Sequence, residues 1–224
     1  MKSNKPLYGN NNLIRTLFKR ERRLKLTKSS FPRGKVAFFV TSNVHKFMEA
    51  RLVFAEYKIA AALLRVPVQE LQDDNIENIA KASAREAAEK TRLPVIVEDT
   101  GLFIPALDGF PGPYSNYVYR TIGTKGILKI MRDSSQRKAY FRSIVAYCDP
   151  KGALECFEGK AEGKITRKER GSSGFGFDPI FEPLSGNGKT FAEMATKEKN
   201  EHAHRAKAFK KFAEWYVSAF RRRF

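Results

Sequence analysis

The sequence has few cysteines and no long apolar segment, and both scarcities narrow what the chain can be. Two cysteines in 224 residues, Cys148 and Cys156, are too few for a disulfide scaffold, and no cysteine–histidine set has zinc-ligand spacing. No apolar run reaches the ~18–20 residues of a membrane span, and the start lacks the apolar core of a secretory signal. We therefore expect free thiols in a reducing cytoplasm and no membrane partner.

Acidic residues are also scarce relative to basic ones. The chain has 24 Asp and Glu against 42 Lys and Arg, a formal net charge of +18. Such an excess favours polyanionic partners, which include nucleic acids, acidic lipids and phosphorylated small molecules. Residues 1–35 hold eleven Lys or Arg and one acid, Glu21, so the excess is concentrated at the start. This weakens the main rival interpretation, a nucleic-acid-binding protein that uses its folded domain.

The first 34 residues differ from the rest of the chain. Three asparagines at 10–12 and the Pro-Arg-Gly at 32–34 interrupt any helical pattern there. We predict a basic extension over 1–34, with weak nucleic-acid contact as its candidate role, and one folded domain over 35–224. The Arg-rich, acid-poor start leaves a mitochondrial presequence as the alternative to a cytoplasmic protein.

Short apolar runs and helical patterns alternate along the domain and predict an α/β fold with a mixed sheet. Strands are expected at Val36–Val40, Val95–Val97, Tyr140–Cys148 and Ala153–Ile165, and helices over about 47–54, Asp74–Thr91, 126–132 and Asn200–Phe220. Asp74 is expected to cap its helix, with Glu77 completing a capping-box signature. The segment 59–68 stays open between helix and strand.

The turn after the first predicted strand offers groups that suit a phosphate. A strand-to-helix turn presents unpaired N–H groups at the positive end of the helix dipole. Thr41, Ser42 and Asn43 add polar side chains, and Lys46 adds a positive charge one turn later. The alternative is an ordinary helix cap followed by a solvated lysine.

An acidic pair follows the apolar run Val95–Val97. Ligands of α/β proteins gather at the carboxyl ends of strands, and Mg²⁺ prefers carboxylate oxygens while keeping several waters. A carboxylate of Glu98 or Asp99 beside such a metal could take a proton from an attacking water. The alternative is a turn carboxylate that caps a neighbouring helix. Glu70, further upstream, is another acid without an evident structural role.

A glycine-rich segment with two aromatic residues covers Gly174–Pro179. Glycines such as Gly176 let a loop approach a ligand closely, and the rings of Phe175 and Phe177 offer faces for stacking on a base. Asp178 could accept a hydrogen bond from a base N–H. The alternative is a connecting loop whose aromatic rings belong to the core.

Three cationic residues, Lys199, His204 and Arg205, lie near the start of the last predicted helix. The guanidinium fork suits phosphate or carbonyl oxygens, whereas the alternative is a solvated basic helix start. Two further patterns are rejected. Residues 183–190 depart from the phosphate-loop pattern because proline takes the first glycine position. His202 and His204 are two residues apart and do not share a helix face.

The order and spacing of these motifs resemble the Ham1-like family of inosine/xanthosine triphosphate pyrophosphatases. The resemblance covers about residues 36–217 and is carried by TSNVHK (41–46), VEDTGLFIPALDGFPGPYS (97–115), GFGFDPIF (174–181) and KTFAEM…EKNEHAHRAKAF (189–209). It implies an elongated mixed β-sheet with helices forming two lobes around a central cleft. It also implies a homodimer and Mg²⁺-dependent hydrolysis of ITP, dITP and XTP to the monophosphate and pyrophosphate.

The resemblance further implies a role for each candidate residue. The phosphates would be bound by Thr41, Ser42, Asn43 and Lys46. Mg²⁺ would be held by Glu70 and Asp99. The catalytic residues would be Asp99, as the general base, and Lys46. The base would be enclosed by Phe175, Gly176, Phe177 and Asp178. The substrate would also contact Thr100 and Lys199. The 6-oxo edge of the purine would be recognised by His204 and Arg205.

Two positions depart from the family pattern. Ala203 stands where the family usually has serine, and Phe177 where tyrosine or tryptophan is common. Neither touches Asp99, Glu70 or Lys46, so we expect an active enzyme whose selectivity is the less certain property. The rivals that stay open are a nucleic-acid-binding protein, a pyrophosphatase for other modified nucleotides, such as a Maf-like enzyme, and a non-catalytic nucleotide sensor.

Overall fold

The structure is a computed structural model that describes residues 35–69 and 71–221. The extension predicted over 1–34 lies outside these residues, so the domain boundary after residue 34 stays a prediction. Within the described part of the chain, no helix is both long enough and apolar enough to cross a membrane.

The described residues form seven strands, six α-helices and three single-turn 3₁₀ helices. The strands are β1 (Lys35–Val40), β2 (Ile59–Leu64), β3 (Val95–Phe103), β4 (Pro111–Gly112), β5 (Lys138–Cys148), β6 (Leu154–Ile165) and β7 (Phe181–Pro183). The α-helices are α1 (Val44–Glu56), α2 (Ile76–Thr91), α3 (Ser115–Thr121), α4 (Gly123–Ile130), α5 (Thr196–His202) and α6 (His204–Arg221). The 3₁₀ helices are Pro105–Leu107, Asp178–Ile180 and Phe191–Glu193.

The strands make one mixed sheet in the order β2-β1-β3-β5-β6-β7, with β4 paired to β3. β1 runs parallel to β2 and to β3, whereas the other pairs are antiparallel. The predicted mixed α/β fold is confirmed. The hairpin β5–β6 is joined at the turn of residues 149–152, and the open segment 59–68 contains strand β2.

The sheet forks along β3. On one side, β3 pairs with β1 at Val95 and Ile96, and with β4 at Leu102 and Phe103. Between those pairs, residues 97–101 have no strand beside them on that side within the described part of the chain, while β5 pairs along the whole other side. Side chains of other elements can therefore reach the backbone of β3 at this fork.

Helices cover both faces of the sheet. α2 packs on one face through small residues, which include Ala80 and Ala84, against a cluster that contains Val97. α1 and α6 pack on the opposite face in a larger aromatic cluster, where the ring of Phe209 meets that of Phe54 edge to face at 5.2 Å. The two sides of β3 therefore face different surroundings, which decides where its polar residues point.

Gly159 allows α6 to lie close against β6. A Cβ at this position would be 2.0 Å from the carbonyl oxygen of His204 and 2.6 Å from the amide nitrogen of Ala208. We expect Gly159→Ala to lower the free energy of unfolding by about 1–3 kcal/mol, because helix and strand must separate. Urea unfolding measures this. Glu162→Ala, on the exposed side of the same strand, should change it by less than about 0.5 kcal/mol; equal losses would refute the close-contact explanation.

Several helix boundaries differ from the prediction: α1 and α4 each begin about three residues earlier, at Val44 and Gly123. The cap of α2 is Asn75 rather than Asp74: its side-chain oxygen accepts a hydrogen bond from the N–H of Glu77 at 3.0 Å. Asp73 in turn accepts one from the N–H of Asn75 at 2.7 Å. Any of three consecutive Asp and Asn residues suits a cap, and the backbone conformation of the loop decides which one is used.

The last predicted helix is two helices, because Ala203 takes an extended conformation between α5 and α6, with φ −73° and ψ 141°. The end of the second predicted strand was also wrong. The apolar run Val95–Val97 continues as strand to Phe103, since β5 pairs with it along its whole length. Glu98 and Asp99 therefore lie within β3 and not at its end.

Candidate active site

The turn between β1 and α1 is built by its own polar side chains. Asn43 is the cap of α1, and its side-chain oxygen accepts hydrogen bonds from the N–H groups of His45 and Lys46, at 2.9 and 3.3 Å. The hydroxyl of Thr41 accepts one from the N–H of Asn43 at 3.1 Å, and Ser42 is exposed. The turn is thus a cap, as the simpler alternative proposed, and its shape is locally determined.

Lys46 is not the solvated lysine of that alternative. Its ammonium group reaches the fork in the sheet, where it donates to the carbonyl oxygen of Glu98 at 3.0 Å. It also forms an ion pair with Oε2 of the same residue at 2.9 Å. The amine is therefore fixed beside the turn, with a fifth of its side-chain surface still exposed.

Glu98 and Asp99 are directed to opposite faces of β3, because successive side chains of a strand alternate. Glu98 is fully buried on the face that meets α1 and α6, together with Thr100. Asp99 is partly exposed and lies on the face that α2 covers. Two acids that are neighbours in the sequence therefore face different sides of the sheet and differ in their access to solvent.

Glu98 is ionised despite its burial. Ser143 donates to its Oε1 at 2.5 Å, and Thr100 donates to the same oxygen. Burial opposes ionisation, but the charges of Arg205 and Lys46, with these two hydrogen bonds, outweigh it and hold the pKa of Glu98 well below its ordinary value. A buried carboxylate with this many donors is a fixed anionic anchor.

Arg205 joins Glu98 to a second buried acid, Glu49 of α1. Its Nε lies 3.0 Å from Oε1 of Glu98, and its Nη1 lies 2.6 Å from Oε2 of Glu49. Its Nη2 also donates to the hydroxyl of Thr100 at 3.1 Å. Burial favours the neutral forms of Glu49 and Arg205. The charges of Arg205 and Lys199 nevertheless lower the pKa of Glu49, and those of Glu98 and Glu49 raise the pKa of Arg205.

Lys199 extends these ion pairs to the glycine-rich loop. Its Nζ lies 2.7 Å from Oε1 of Glu49 and 2.6 Å from Oδ2 of Asp178. Burial raises the pKa of Asp178 above its ordinary value, which Lys199 only partly offsets. We call this series of alternating charges the buried charge chain: Lys46, Glu98, Arg205, Glu49, Lys199 and Asp178. It holds three cations and three carboxylates, so its formal charge is zero.

The solvated-helix alternative for the last cationic group is wrong, because Lys199, His204 and Arg205 are each 2 % exposed. The ring of His204 stacks on Phe141 at a centroid distance of 4.5 Å, and neither ring nitrogen has a hydrogen-bond partner. Burial and the neighbouring cations, Arg205 foremost, hold its pKa well below 6.5. His204 is therefore neutral at the inner end of the site.

The two phenylalanines of the glycine-rich loop have different surroundings. Phe177 is in the core, where its ring meets Tyr119 edge to face at 5.5 Å. The ring of Phe175 stacks on His45 at 5.2 Å, and the charged groups of Lys199 and Arg205 lie 4.8 and 5.2 Å from its centroid. Core packing, the simpler alternative, holds for Phe177, whereas Phe175 covers the cations.

A pocket opens beside Phe175, between α1 and the start of α5. Its lining combines aromatic and apolar side chains with the buried ion pair of Glu49 and Lys199. Its lining residues are His45, Met48, Glu49, Gly174, Phe175, Met194, Thr196 and Lys199. Gly174 and Gly176 flank Phe175 with φ of 76° and 64°, and a Cβ on Gly174 would lie 2.1 Å from Oδ2 of Asp178.

Glu49 and Ser143 are site residues that sequence reasoning missed. A signal existed for Glu49: it precedes Val53 by four residues and so falls on the buried stripe of α1, where an acid needs a cationic partner. No comparable signal marked Ser143, whose hydroxyl reaches Glu98 only because β5 pairs with β3.

The chemistry of Asp99 suits Mg²⁺. This ion is commonly held by one or two carboxylates together with waters and substrate phosphates, so a complete protein cage is not required. Within residues 35–69 and 71–221, no group of three His, Cys, Asp or Glu side chains could hold a metal alone. The second predicted ligand, Glu70, lies outside the described residues.

Comparisons with known proteins agree on one family. The family model described as Ham1 family matches residues 37–215. A dITP/XTP pyrophosphatase of Methanopyrus kandleri is 49% identical over 178 residues, 80% of this chain and 94% of that protein. Its namesake from Thermococcus kodakarensis is 48% identical over 177 residues, 79% of this chain and 95% of that protein. The structure of a HAM1 protein from Coxiella burnetii matches with a TM-score of 0.72 and 29% identity, covering 82% of this chain and 99% of that one.

Proposed function

Because this chain belongs to the Ham1 family, we propose that it hydrolyses non-canonical purine triphosphates, ITP, dITP and XTP, to the monophosphate and pyrophosphate. The names of the two archaeal relatives support this substrate class. The observation that carries the proposal is the buried charge chain, which connects a cationic strand-to-helix turn at Lys46 to a pocket lined by Lys199 and Phe175.

The triphosphate would lie at the turn between β1 and α1. The positive end of the α1 dipole attracts phosphate oxygens, and the polar side chains of Thr41, Ser42 and Asn43 would lie around them. Lys46 would neutralise phosphate charge without a large rearrangement, because Glu98 already holds its amine in place. Phosphoryl transfer depends mainly on such positioning and charge neutralisation.

Asp99 would act as the general base. Its carboxylate would take a proton from a water that attacks phosphorus, as the bond that links the α- and β-phosphates breaks and pyrophosphate leaves. With Glu70 it would also hold Mg²⁺, which when bound neutralises charge on the phosphates and polarises their oxygens. Asp99 is partly exposed, unlike the buried Glu98 beside it.

The base would be selected by a donor within the buried charge chain, the guanidinium of Arg205. Hypoxanthine and xanthine carry a 6-oxo group that can accept from Arg205, whereas adenine has an amine there. That amine would leave a buried donor unpaired, at about 1–3 kcal/mol per lost partner. Phe175 covers both Arg205 and Lys199, so its ring must move for a base to reach them.

Pyrophosphate release from ITP, dITP, XTP, ATP and GTP in the presence of Mg²⁺ tests this function. We expect kcat/KM for ITP and XTP to exceed that for ATP by about 10–100-fold, the equivalent of 1–3 kcal/mol. Chelation of Mg²⁺ should abolish turnover. Preference for another modified nucleotide would favour the second pyrophosphatase class, and binding without release would favour a nucleotide sensor.

A cytoplasmic homodimer with weak nucleic-acid contact through residues 1–34 completes the proposal. Light scattering of the full chain measures the dimer. Salt-dependent binding of a labelled oligonucleotide, compared before and after deletion of 1–34, measures the contact. Tight binding that survives the deletion would instead support a nucleic-acid-binding domain.

A further inference from the structure

Glu98 links two cations with different proposed roles: Lys46, proposed to bind the triphosphate, and Arg205, proposed to recognise the base. One of its carboxylate oxygens, Oε2, faces Lys46 at 2.9 Å, and the other, Oε1, faces Nε of Arg205 at 3.0 Å. Among the described residues, it is the only acid within ion-pair distance of Lys46, whereas Arg205 has a second acid in Glu49. One rigid group thus contacts a residue proposed for the triphosphate and one proposed for the base.

The orientation of this carboxylate depends on several donors acting together, Arg205 among them. Ser143 and Thr100 both donate to Oε1, and the backbone on both sides of Glu98 is held by β5. Rotation of the carboxylate would break these hydrogen bonds and displace Lys46 and Arg205 together. The two ion pairs share one carboxylate, so a shift of one cation is transmitted directly to the other.

We propose that Glu98 is a positioning residue that couples recognition of the base to alignment of the triphosphate. The inference rests on the proposed function. A base that satisfies Arg205 keeps the guanidinium against Oε1, and Lys46 then stays aligned with the phosphates. A base that leaves Arg205 unsatisfied shifts the guanidinium and, through the shared carboxylate, Lys46. Misplacement by about 1 Å costs on the order of 100-fold in rate, so discrimination appears in kcat.

This coupling makes a prediction that differs from simple binding. Where donors only bind the base, ITP and ATP differ in KM and not in kcat. Through Glu98, the correct base also raises kcat. The ratio of kcat for ITP to kcat for ATP is therefore the readout, because a general loss of structure lowers both values by the same factor.

The central variant is Glu98→Gln, which keeps the size of the side chain and removes its charge. We expect kcat for ITP to fall by about 100-fold, to near the value for ATP. The ratio of the two KM values should stay within about threefold, because Glu49 still holds Arg205. Glu98→Asp keeps the charge but is too short to reach both cations, so it should restore little of the ratio.

A milder variant keeps the test decisive if Glu98→Gln does not fold. Ser143→Ala removes the donor to Oε1 and leaves every charge in place. We expect it to lower kcat for ITP by about 3–10-fold, less than a full hydrogen bond to a charged group contributes, because Thr100 still donates to Oε1; kcat for ATP should be unchanged. The matched control is Ser83→Ala, another buried serine, on α2 in the opposite cluster, which should leave both values unchanged.

Wild-type turnover is measured first, so that failure of the proposed function can be distinguished from failure of the coupling through Glu98. No pyrophosphate release from any purine triphosphate would overturn the proposed function and the coupling with it. Turnover with an unchanged kcat ratio in Glu98→Gln and Ser143→Ala would overturn the coupling alone. A change confined to the KM ratio would do the same, since it would assign Glu98 to base binding only.

Discussion

Asp99→Asn is expected to reduce kcat for ITP by about 10²–10⁴-fold, the usual contribution of a general base. The amide has the same size as the carboxylate, but it cannot accept the proton of the attacking water and binds Mg²⁺ more weakly. Pyrophosphate release at saturating ITP and Mg²⁺ measures the change. The backbone of β3 is paired with β5 on both sides of Asp99, so the fold should be retained.

The control for this variant is Asp133→Asn, which changes an exposed acid after α4. It should leave kcat unchanged, which excludes a general effect of one lost negative charge on this basic protein. Raising the concentration of Mg²⁺ separates the two roles of Asp99: a loss that excess metal restores is a metal-binding loss. Activity within tenfold of wild type at all Mg²⁺ concentrations would show that Asp99 is not the base.

Arg205→Ala is expected to lower the free energy of unfolding by about 3–5 kcal/mol at pH 7, because it removes the partner of buried charges. Glu49 and Glu98 would each lose an ion pair, at 2.6 and 3.0 Å, between side chains that are almost fully buried. Urea unfolding measures the loss. Arg142→Ala breaks an exposed ion pair with Glu158 at 3.0 Å and should cost less than about 1 kcal/mol.

The destabilisation should depend on pH with a definite sign. In the wild type, Arg205 and Lys199 lower the pKa of Glu49, so ionised Glu49 stabilises the fold above the ordinary value near 4.5, and this is lost as the pH falls. In Arg205→Ala, the pKa of Glu49 rises towards or above its ordinary value. The variant should therefore lose less stability relative to wild type at pH 4.5 than at pH 7. A difference that is independent of pH would show that lost packing, not unpaired charge, is the cause.

Several features of the molecule follow from local sequence alone. The apolar run Val36–Val40 with the polar residues after it is sufficient for a strand, a cap at Asn43 and a helix, because each depends on neighbours within one turn of chain. The strands of the β5–β6 hairpin follow in the same way from β-rich runs around a turn of Asp, Pro and Gly. The order of the motifs was likewise enough to indicate the family before the fold was known.

Tertiary packing decided the rest. Local sequence places Glu98 and Asp99 side by side, but the helices on the two faces of the sheet make one an internal anchor and leave the other accessible. The same holds for Phe175 and Phe177, whose separate surroundings depend on α1 and α3. Short-range patterns determine secondary structure and motif identity, whereas the partners of a buried charge come from other elements of the fold. Glu49 and Arg205 are 156 residues apart in the sequence. Only the folded chain brings those charges together, because burying any of them unpaired would be too costly.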